Sequence, residues 1–513
     1  MTARETPLRD VMLKASVAML ALMVASKVMG YGFHYIFVLY FPKEVYGQFV
    51  FVWSMGLFVC SLMPNTSVSI ARYIAYYRGE GNDRALGYTL RSGILLNTAI
   101  VFVYLSALYA IYAAGIFALD TPSFLFLATV MALTSFSALF SGIVSGFRRP
   151  EVSSFFNLLQ NMLRVVAIAA AAFFAATLTG AMAAVAFSLM ASTLLLMIYG
   201  AGKYGIGTSY SKDSTKELFK FGFYNIAHIT ANSVMLWAGI FLLQLFKGAA
   251  DVAVFNVALL ASNAGLVLFL AALQIFSPVV SEMFGARRHE RISHLASYLL
   301  ESFLLMFLPV FLSVMLFARP ILVIFVKPEY AEGAVPLQVM SVGAFLYGIA
   351  MLFMELANSA GRPQVNAMIL GLGAVVNIGV NYALIPFLGM SGAAVGTLAS
   401  SLFILVLSYD YGRRMVRLSC SMDRIGRILL SSVASVVSVY AVNRLVDSSL
   451  ASLLLSCAAL ATVYFLALIA LKSLRREDIL LAIALLEKLK VPMGLCATLE
   501  RFLMRGAYSK AFL

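Results

Sequence analysis

Charged side chains inside long apolar runs carry the first chemical information in this chain. Lys27, Arg72 and Arg164 are embedded in its first half, and Glu282, Glu301 and Glu355 in its second. A charge in hydrocarbon costs a few kcal/mol on insertion scales, so each needs a partner, water or a task. Lys27 lies about fourteen residues into its run, roughly 20 Å at 1.5 Å per residue, too deep to snorkel easily. Arg164 and His228 reach a similar mid-run depth, and Arg72 sits in the inner third of its run. Arg and Lys lining a wet cavity supply charge-assisted hydrogen bonds in place of water, which is anion-binding chemistry. Lys27, Arg72 and Arg164 are therefore the candidate anion site.

Each of these residues also fits a plainer role. Arg72 follows a Ser/Asn-rich stretch broken at Pro64 and can point into the cytoplasm; Lys27 and Arg164 can pair with an acid or a carbonyl as structural glue. His228 fits a hydrogen-bonded packing position as well as a proton carrier. Glu301 and Glu355 fit either a coupling Na⁺ or H⁺ site or structural ion pairs. Asn65, Gln160, Asn161, Asn225 and Asn232 can bind sugar hydroxyls, or can join helices through their amides.

The elements that must position these residues follow from composition. Of 513 residues, 62% are hydrophobic and 12% charged, against roughly 45–50% and 25% in a soluble domain. A mean hydropathy of +0.94 over this length, at about 20 apolar residues per spanning helix, leaves room for a dozen or more spans. The runs are long and unbroken, which excludes a barrel of alternating ~10-residue strands. The net charge of +14 sits in short clusters between apolar runs, a topology signal rather than a nucleic-acid footprint. Cys60, Cys420, Cys457 and Cys496 show no metal-ligand spacing, so neither a zinc site nor a disulfide framework is expected. The first run, near 13–41, is too long for a signal-peptide core and reads as a retained span.

The sequence predicts an all-α polytopic membrane protein of about fourteen spans. Six lie near 13–41, 46–77, 89–113, 122–146, 153–177 and 180–202, and six more near 217–246, 250–284, 295–319, 333–357, 366–388 and 390–412. A final pair lies near 427–446 and 450–472. With this count, 30 of the 37 Lys and Arg residues fall on the amino-terminal side and five on the other, with Lys27 and Arg164 inside spans. Both termini are then cytoplasmic. The predicted domains are an N-lobe at 1–203, a C-lobe at 217–412, spans thirteen and fourteen at 427–472, and an interfacial amphipathic tail at 473–513. Apart from Pro320 to Gly333, the outer loops are a few residues long and have no room for a catalytic domain. No enzyme activity and no cofactor are expected.

The chain also matches itself. A shift of about 206 residues lays Tyr46-Gly-Gln-Phe49 on Val252-Ala-Val-Phe255. Arg149-Pro150-Glu-Val152 meets Arg362-Pro363-Gln-Val365, and Ala183-Ala-Val185 meets Ala393-Ala-Val395, in the same order. Six spans per unit make a parallel repeat, two six-helix lobes with a cavity between them that opens to either side by rocking.

Twelve spans in two lobes plus two more, Tyr46-Gly-x-Phe49 opening span two and Gly361-Arg-Pro363 after span ten resemble the multidrug/oligosaccharidyl-lipid/polysaccharide (MOP) exporter superfamily. Gly392-Ala-Ala-Val-Gly-Thr397 and Ser69-Ile-Ala-Arg-Tyr-Ile74 look most like its polysaccharide transporters of the O-antigen flippase type. The resemblance implies a MATE-like flippase fold in the cell (plasma or inner) membrane. It also implies movement of a polyprenyl-diphosphate-linked oligosaccharide from the inner to the outer leaflet by alternating access. The diphosphate would meet Lys27, Arg72 and Arg164; peptidoglycan-precursor members use cations on spans one and two, where Lys27 and Arg72 lie. Spans thirteen and fourteen, nearly free of polar groups, would bound a groove for the polyprenyl tail. Expected partners are the lipid-linked oligosaccharide, membrane lipid, and glycosyltransferases or a polymerase of the same pathway, with no nucleic acid. The competing function is a Na⁺- or H⁺-coupled multidrug exporter of the same superfamily, whose site should be acidic and aromatic. A scaffold recruiting cell-wall enzymes would tolerate loss of Lys27 and Arg164.

Overall fold

The computed structural model of the chain describes residues 6–115, 119–174, 176–207, 209–224, 226–445, 450–475 and 478. Asn225, Cys496 and nearly all of the expected tail helix from Glu477 to Lys490 lie outside these residues. Within them the chain is helical, with no strand among the described residues. The helices are α1 (Thr6–Tyr40), α2 (Lys43–Ser61), α3 (Thr66–Glu80), α4 (Asp83–Ala113), α5 (Thr121–Gly146), α6 (Pro150–Phe174), α7 (Leu178–Tyr204), α8 (Lys212–Tyr224) and α9 (Ile226–Phe246). There follow α10 (Ala249–Asn263), α11 (Leu266–Gly285), α12 (His289–Leu316), α13 (Ala334–Ser359), α14 (Pro363–Leu388), α15 (Met390–Met415), α16 (Met422–Leu445) and α17 (Leu450–Ala470).

Each of the fourteen apolar runs is a helix or a helix pair. Among the described residues, 11 helical stretches are long and apolar enough to cross a membrane. Two runs expected as single helices are interrupted at described residues. The run at 46–77 divides into α2 and α3 around Pro64, whose missing N–H cannot continue a helical ladder. Asn65 then caps α3 by accepting the Val68 N–H at 3.2 Å. The run at 250–284, its counterpart in the repeat, divides into α10 and α11 at Ala264–Gly265. The segment between α12 and α13 is wound too: Ile321–Val326 forms a π turn and Pro328–Gly333 a 3₁₀ turn, with Tyr330 fully buried.

By contacts the chain forms two compact units, one of residues up to Leu260 with Gln364–Ser400, the other of Ala261–Pro363 with the residues from Ser401 on. In the first, α1 packs on α6, α6 on α7, and α5 on α3 and α7. The connection near 202–217 lies in this unit, where α8 packs on α3 and α4. Lipid tails are as apolar as Leu, so such helices associate through close van der Waals packing of small residues rather than a hydrophobic drive. Gly142 of α5 illustrates the closeness: a Cβ there would stand 2.4 Å from the Ser67 carbonyl oxygen. In the second unit, α11, α12 and α13 close around Phe269, Phe303, Phe307, Phe311 and Phe353.

One ionic cluster holds α16 and the residues after α17 to α12. Glu301 of α12 is fully buried and accepts from Arg424 Nη1 at 2.6 Å, from Arg475 Nη2 at 2.8 Å, and from the Ser421 N–H at 2.9 Å. Arg424 also pairs with Asp478 and donates Nε–H to the Ser473 carbonyl at 2.9 Å. Removing one partner of a buried pair leaves an uncompensated charge, at a cost of about 3–5 kcal/mol. Arg424→Met, which takes the arginine from Asp478 and leaves Glu301 with Arg475 as its only cation, is expected to lower the thermal midpoint of the detergent-solubilised protein by several degrees. An unchanged midpoint would show that the cluster carries no weight.

Candidate functional site

Two polar stripes meet across α1 and α6. On α6, Ser154, Asn157, Asn161 and Arg164 recur at helical spacing, and on α1 so do Lys27, Gly30, Tyr31 and His34. Residues three and four apart share a helix face, so each helix turns one polar strip toward the other. Asn161 Nδ2 donates to Ser26 Oγ at 2.8 Å, pinning the strips together. Between them lies a cavity of about 450 Å³ lined by Met23, Ser26, Lys27, Gly30, Tyr31, His34, Ser154, Asn157, Asn161, Arg164 and Leu260. This lining contains two full cations and no carboxylate.

Arg164 is held by rings. Its guanidinium carbon lies 4.9 Å from the Trp53 ring centroid and 5.4 Å from that of Phe33. A desolvated cation over an aromatic face gains about 2 kcal/mol, which keeps charge in the span without cancelling it. Its Nε is buried without a hydrogen-bond partner, and neither Arg164 nor Lys27 forms an ion pair among the described residues. The supporting rings belong to one cluster: Phe33 packs on Phe37 and Phe49, and Phe49 stacks on Trp53 at 6.3 Å.

Behind the cavity wall is a short polar chain. His34 Nδ1 lies 2.9 Å from Tyr46 Oη, and Asn256 Nδ2 donates to that same oxygen at 2.7 Å. Tyr46 is fully buried, and Asn256 nearly so. Gly47 lets α2 come this close to α10, since a Cβ there would stand 1.8 Å from the Ala249 carbonyl oxygen. The Tyr-Gly-x-Phe element thus has a place for each named residue: Tyr46 on His34, Gly47 at the crossing, Phe49 under the rings that hold Arg164.

Lys27, Asn161 and Arg164 are brought together in this cavity, and the other sequence candidates are not. Arg72 is exposed on α3, its guanidinium 4.4 Å from the Phe221 ring centroid. Asn65 is spent as the α3 cap, and Gln160 sits one position off the polar strip of α6. His228, on α9, has Nδ1 buried without a partner and is not in the cavity lining. Glu301 is neutralised by two arginines, which repel a coupling cation. Glu355 is half-buried and accepts from Asn358 Nδ2 at 3.4 Å. Sequence reasoning did not single out His34, Tyr31, Asn157 or Trp53. His34 and Asn157 carry a usable signal, lying seven residues from Lys27 and from Arg164 on the same helix faces.

Comparison with known proteins adds relatives to this geometry. The family model described as polysaccharide biosynthesis protein matches residues 12–284, and the MatE model matches residues 226–383. An uncharacterized membrane protein of Methanocaldococcus jannaschii is 21% identical over 427 residues, 79% of this chain and 84% of that protein. The probable low-salt glycan biosynthesis flippase Agl15 of Haloferax volcanii is 22% identical over 253 residues, 49% of this chain and 53% of that protein. Among solved structures, an inward-facing multidrug resistance MATE family transporter of the MOP superfamily superposes with a TM-score of 0.66 at 16% identity, covering 78% of this chain and 97% of that one. A MOP superfamily transporter from Pyrococcus furiosus, whose binding pocket of reverse polarity suggests a different function, gives 0.57 at 16% identity, covering 78% and 95%. These structures establish the fold.

The close crossing at Gly47 generates a direct test. Gly47→Val drives a branched side chain into the Ala249 backbone, and overpacking of this kind costs about 1–3 kcal/mol or more. Folded yield on size exclusion should fall steeply, while Gly32→Ala, at a position on α1 with open space beside it, leaves the profile unchanged.

Proposed function

Because the chain belongs to the polysaccharide biosynthesis protein family of the MOP superfamily, we propose that it is a flippase for a polyprenyl-diphosphate-linked glycan, carrying it from the inner to the outer leaflet by alternating access. The observation that carries this reading is the cavity between α1 and α6, where Lys27 and Arg164 stand without a carboxylate in the lining. A diphosphate brings two or more negative charges, and Arg and Lys replace the water it sheds. Asn157, Asn161, Ser154 and Tyr31 offer neutral hydrogen bonds to the sugar next to the diphosphate. A cavity of about 450 Å³ has the size of a ligand pocket and takes the head group alone. The polyprenyl tail stays in lipid, since wetting it costs about 0.8 kcal/mol per methylene.

In this reading the protein resides in the cell membrane with both ends in the cytoplasm, and it receives its cargo from the glycosyltransferases that build it. A Na⁺- or H⁺-coupled multidrug exporter is the second reading, supported by the MatE match. Cationic drugs call for carboxylates in the site, and the lining described here supplies positive charge instead.

Two measurements test the proposal. In vesicles loaded with lipid-linked oligosaccharide, Lys27→Ala and Arg164→Ala should each slow translocation at least tenfold, the effect of losing one charge-assisted contact. Arg72→Ala, outside the cavity, should retain most of the rate. Undiminished transport by both cavity variants removes the anion site. For orientation, a cysteine-free variant carrying Arg288→Cys or Glu329→Cys is treated in intact cells with an impermeant maleimide. Labelling at 329 and not at 288 is expected, and the reverse would invert the topology.

A further inference from the structure

The anion site contains more than its two cations. We propose that His34 is a third ligand for the phosphate oxygens, an uncharged donor whose tautomer is set by Tyr46 and Asn256; this rests on the flippase reading above.

An amide nitrogen only donates, so Asn256 Nδ2, 2.7 Å from Tyr46 Oη, occupies that oxygen as an acceptor. In this proposal the Tyr46 hydroxyl directs its own hydrogen to His34 Nδ1, 2.9 Å away. A ring that accepts at Nδ1 and is uncharged carries its hydrogen on Nε2. Nδ1 is engaged behind the wall while His34 itself lines the cavity with Lys27 and Arg164, so Nε2–H is the donor left for an occupant. His34 lies seven residues from Lys27 on one face of α1, about 10 Å along the axis at 1.5 Å per residue. The two therefore span a diphosphate rather than crowd one oxygen. Tyr46 and Asn256 act as positioning residues: they touch no ligand and fix which ring nitrogen donates.

An uncharged third donor also suits transport. Two cations already answer the charge of a diphosphate, and a third would deepen the well from which cargo must be released. A neutral N–H adds a directional contact without adding charge.

The test uses the intact protein in lipid nanodiscs with Trp237→Phe, so that Trp53, packed on Arg164, is the sole indole reporter. Farnesyl diphosphate is the probe, and farnesol and inorganic pyrophosphate are the controls. His34→Leu should weaken farnesyl diphosphate binding about tenfold, as expected for one hydrogen bond to a charged group. His34→Gln, whose amide nitrogen falls near the position of Nε2, should bind within about threefold of the parent. Tyr46→Phe should weaken binding several-fold in the parent and have no further effect in His34→Gln, a non-additivity that a packing defect would not produce. Size exclusion and the thermal midpoint report folding of each variant. Parent-like affinity in His34→Leu, or an equal Tyr46→Phe loss in both backgrounds, overturns the proposal. If Lys27→Gln and Arg164→Gln bind normally, or the parent binds no probe, the anion site itself fails. If those two lose binding while His34→Leu keeps it, only the role of His34 fails.

Discussion

Positive charge held inside spanning helices, with no carboxylate paired to it among the described residues, is the constraint on which the rest of this structure depends. Ionic groups at such depth are retained only when something lowers their cost. For Arg164 that something is two aromatic faces, at 4.9 and 5.4 Å. Rings attract a cation through their quadrupole and bring no net charge of their own. Had a carboxylate stood in their place, the guanidinium would be equally tolerable in the membrane but its charge would be cancelled.

The same chain shows the other solution. Glu301, Arg424, Arg475 and Asp478 gather four charges whose sum is zero, buried and cross-bonded, and they hold helices together. Such a cluster has no charge left over for a ligand. The two units thus use arginine in opposite ways, closed in the second and open toward a cavity in the first. A count of embedded charges cannot tell them apart; the partners can.

This explains what was legible in the sequence. The fourteen runs could be read because a helix crossing hydrocarbon needs about 20 apolar residues whatever its neighbours do. Lys27 and Arg164 could be read because a charge in such a run stands out. Pro64 announces a break, yet the run around it is apolar enough to pass for one helix. Glu301 could not be assigned, since Arg424 reaches it from 123 residues away. Arg72 has the right type and an apt depth, and only packing against Phe221 reveals that α3 turns it from the cavity. His34 is a different case. Its type is ordinary and its spacing from Lys27 informative, but its meaning depends on Tyr46 and Asn256, which only the fold brings together.

Transport adds a requirement that binding alone does not. A site that must load on one side and unload on the other needs complementarity shallow enough to reverse. Charge supplies reach and strength, while neutral hydrogen bonds supply selectivity with less depth. In the proposed reading the cavity follows that division: two cations, and around them Ser26, Ser154, Asn157, Asn161, Tyr31 and His34, all polar. Asn161 is already committed to Ser26 and to the Asn157 carbonyl, so part of this ring is preorganised before any ligand arrives. Preorganised neutral dipoles gain specificity without the ordering entropy that flexible side chains lose on binding. The rings beside Arg164 act on the charge itself, their centroids 5.4 and 4.9 Å from the guanidinium carbon.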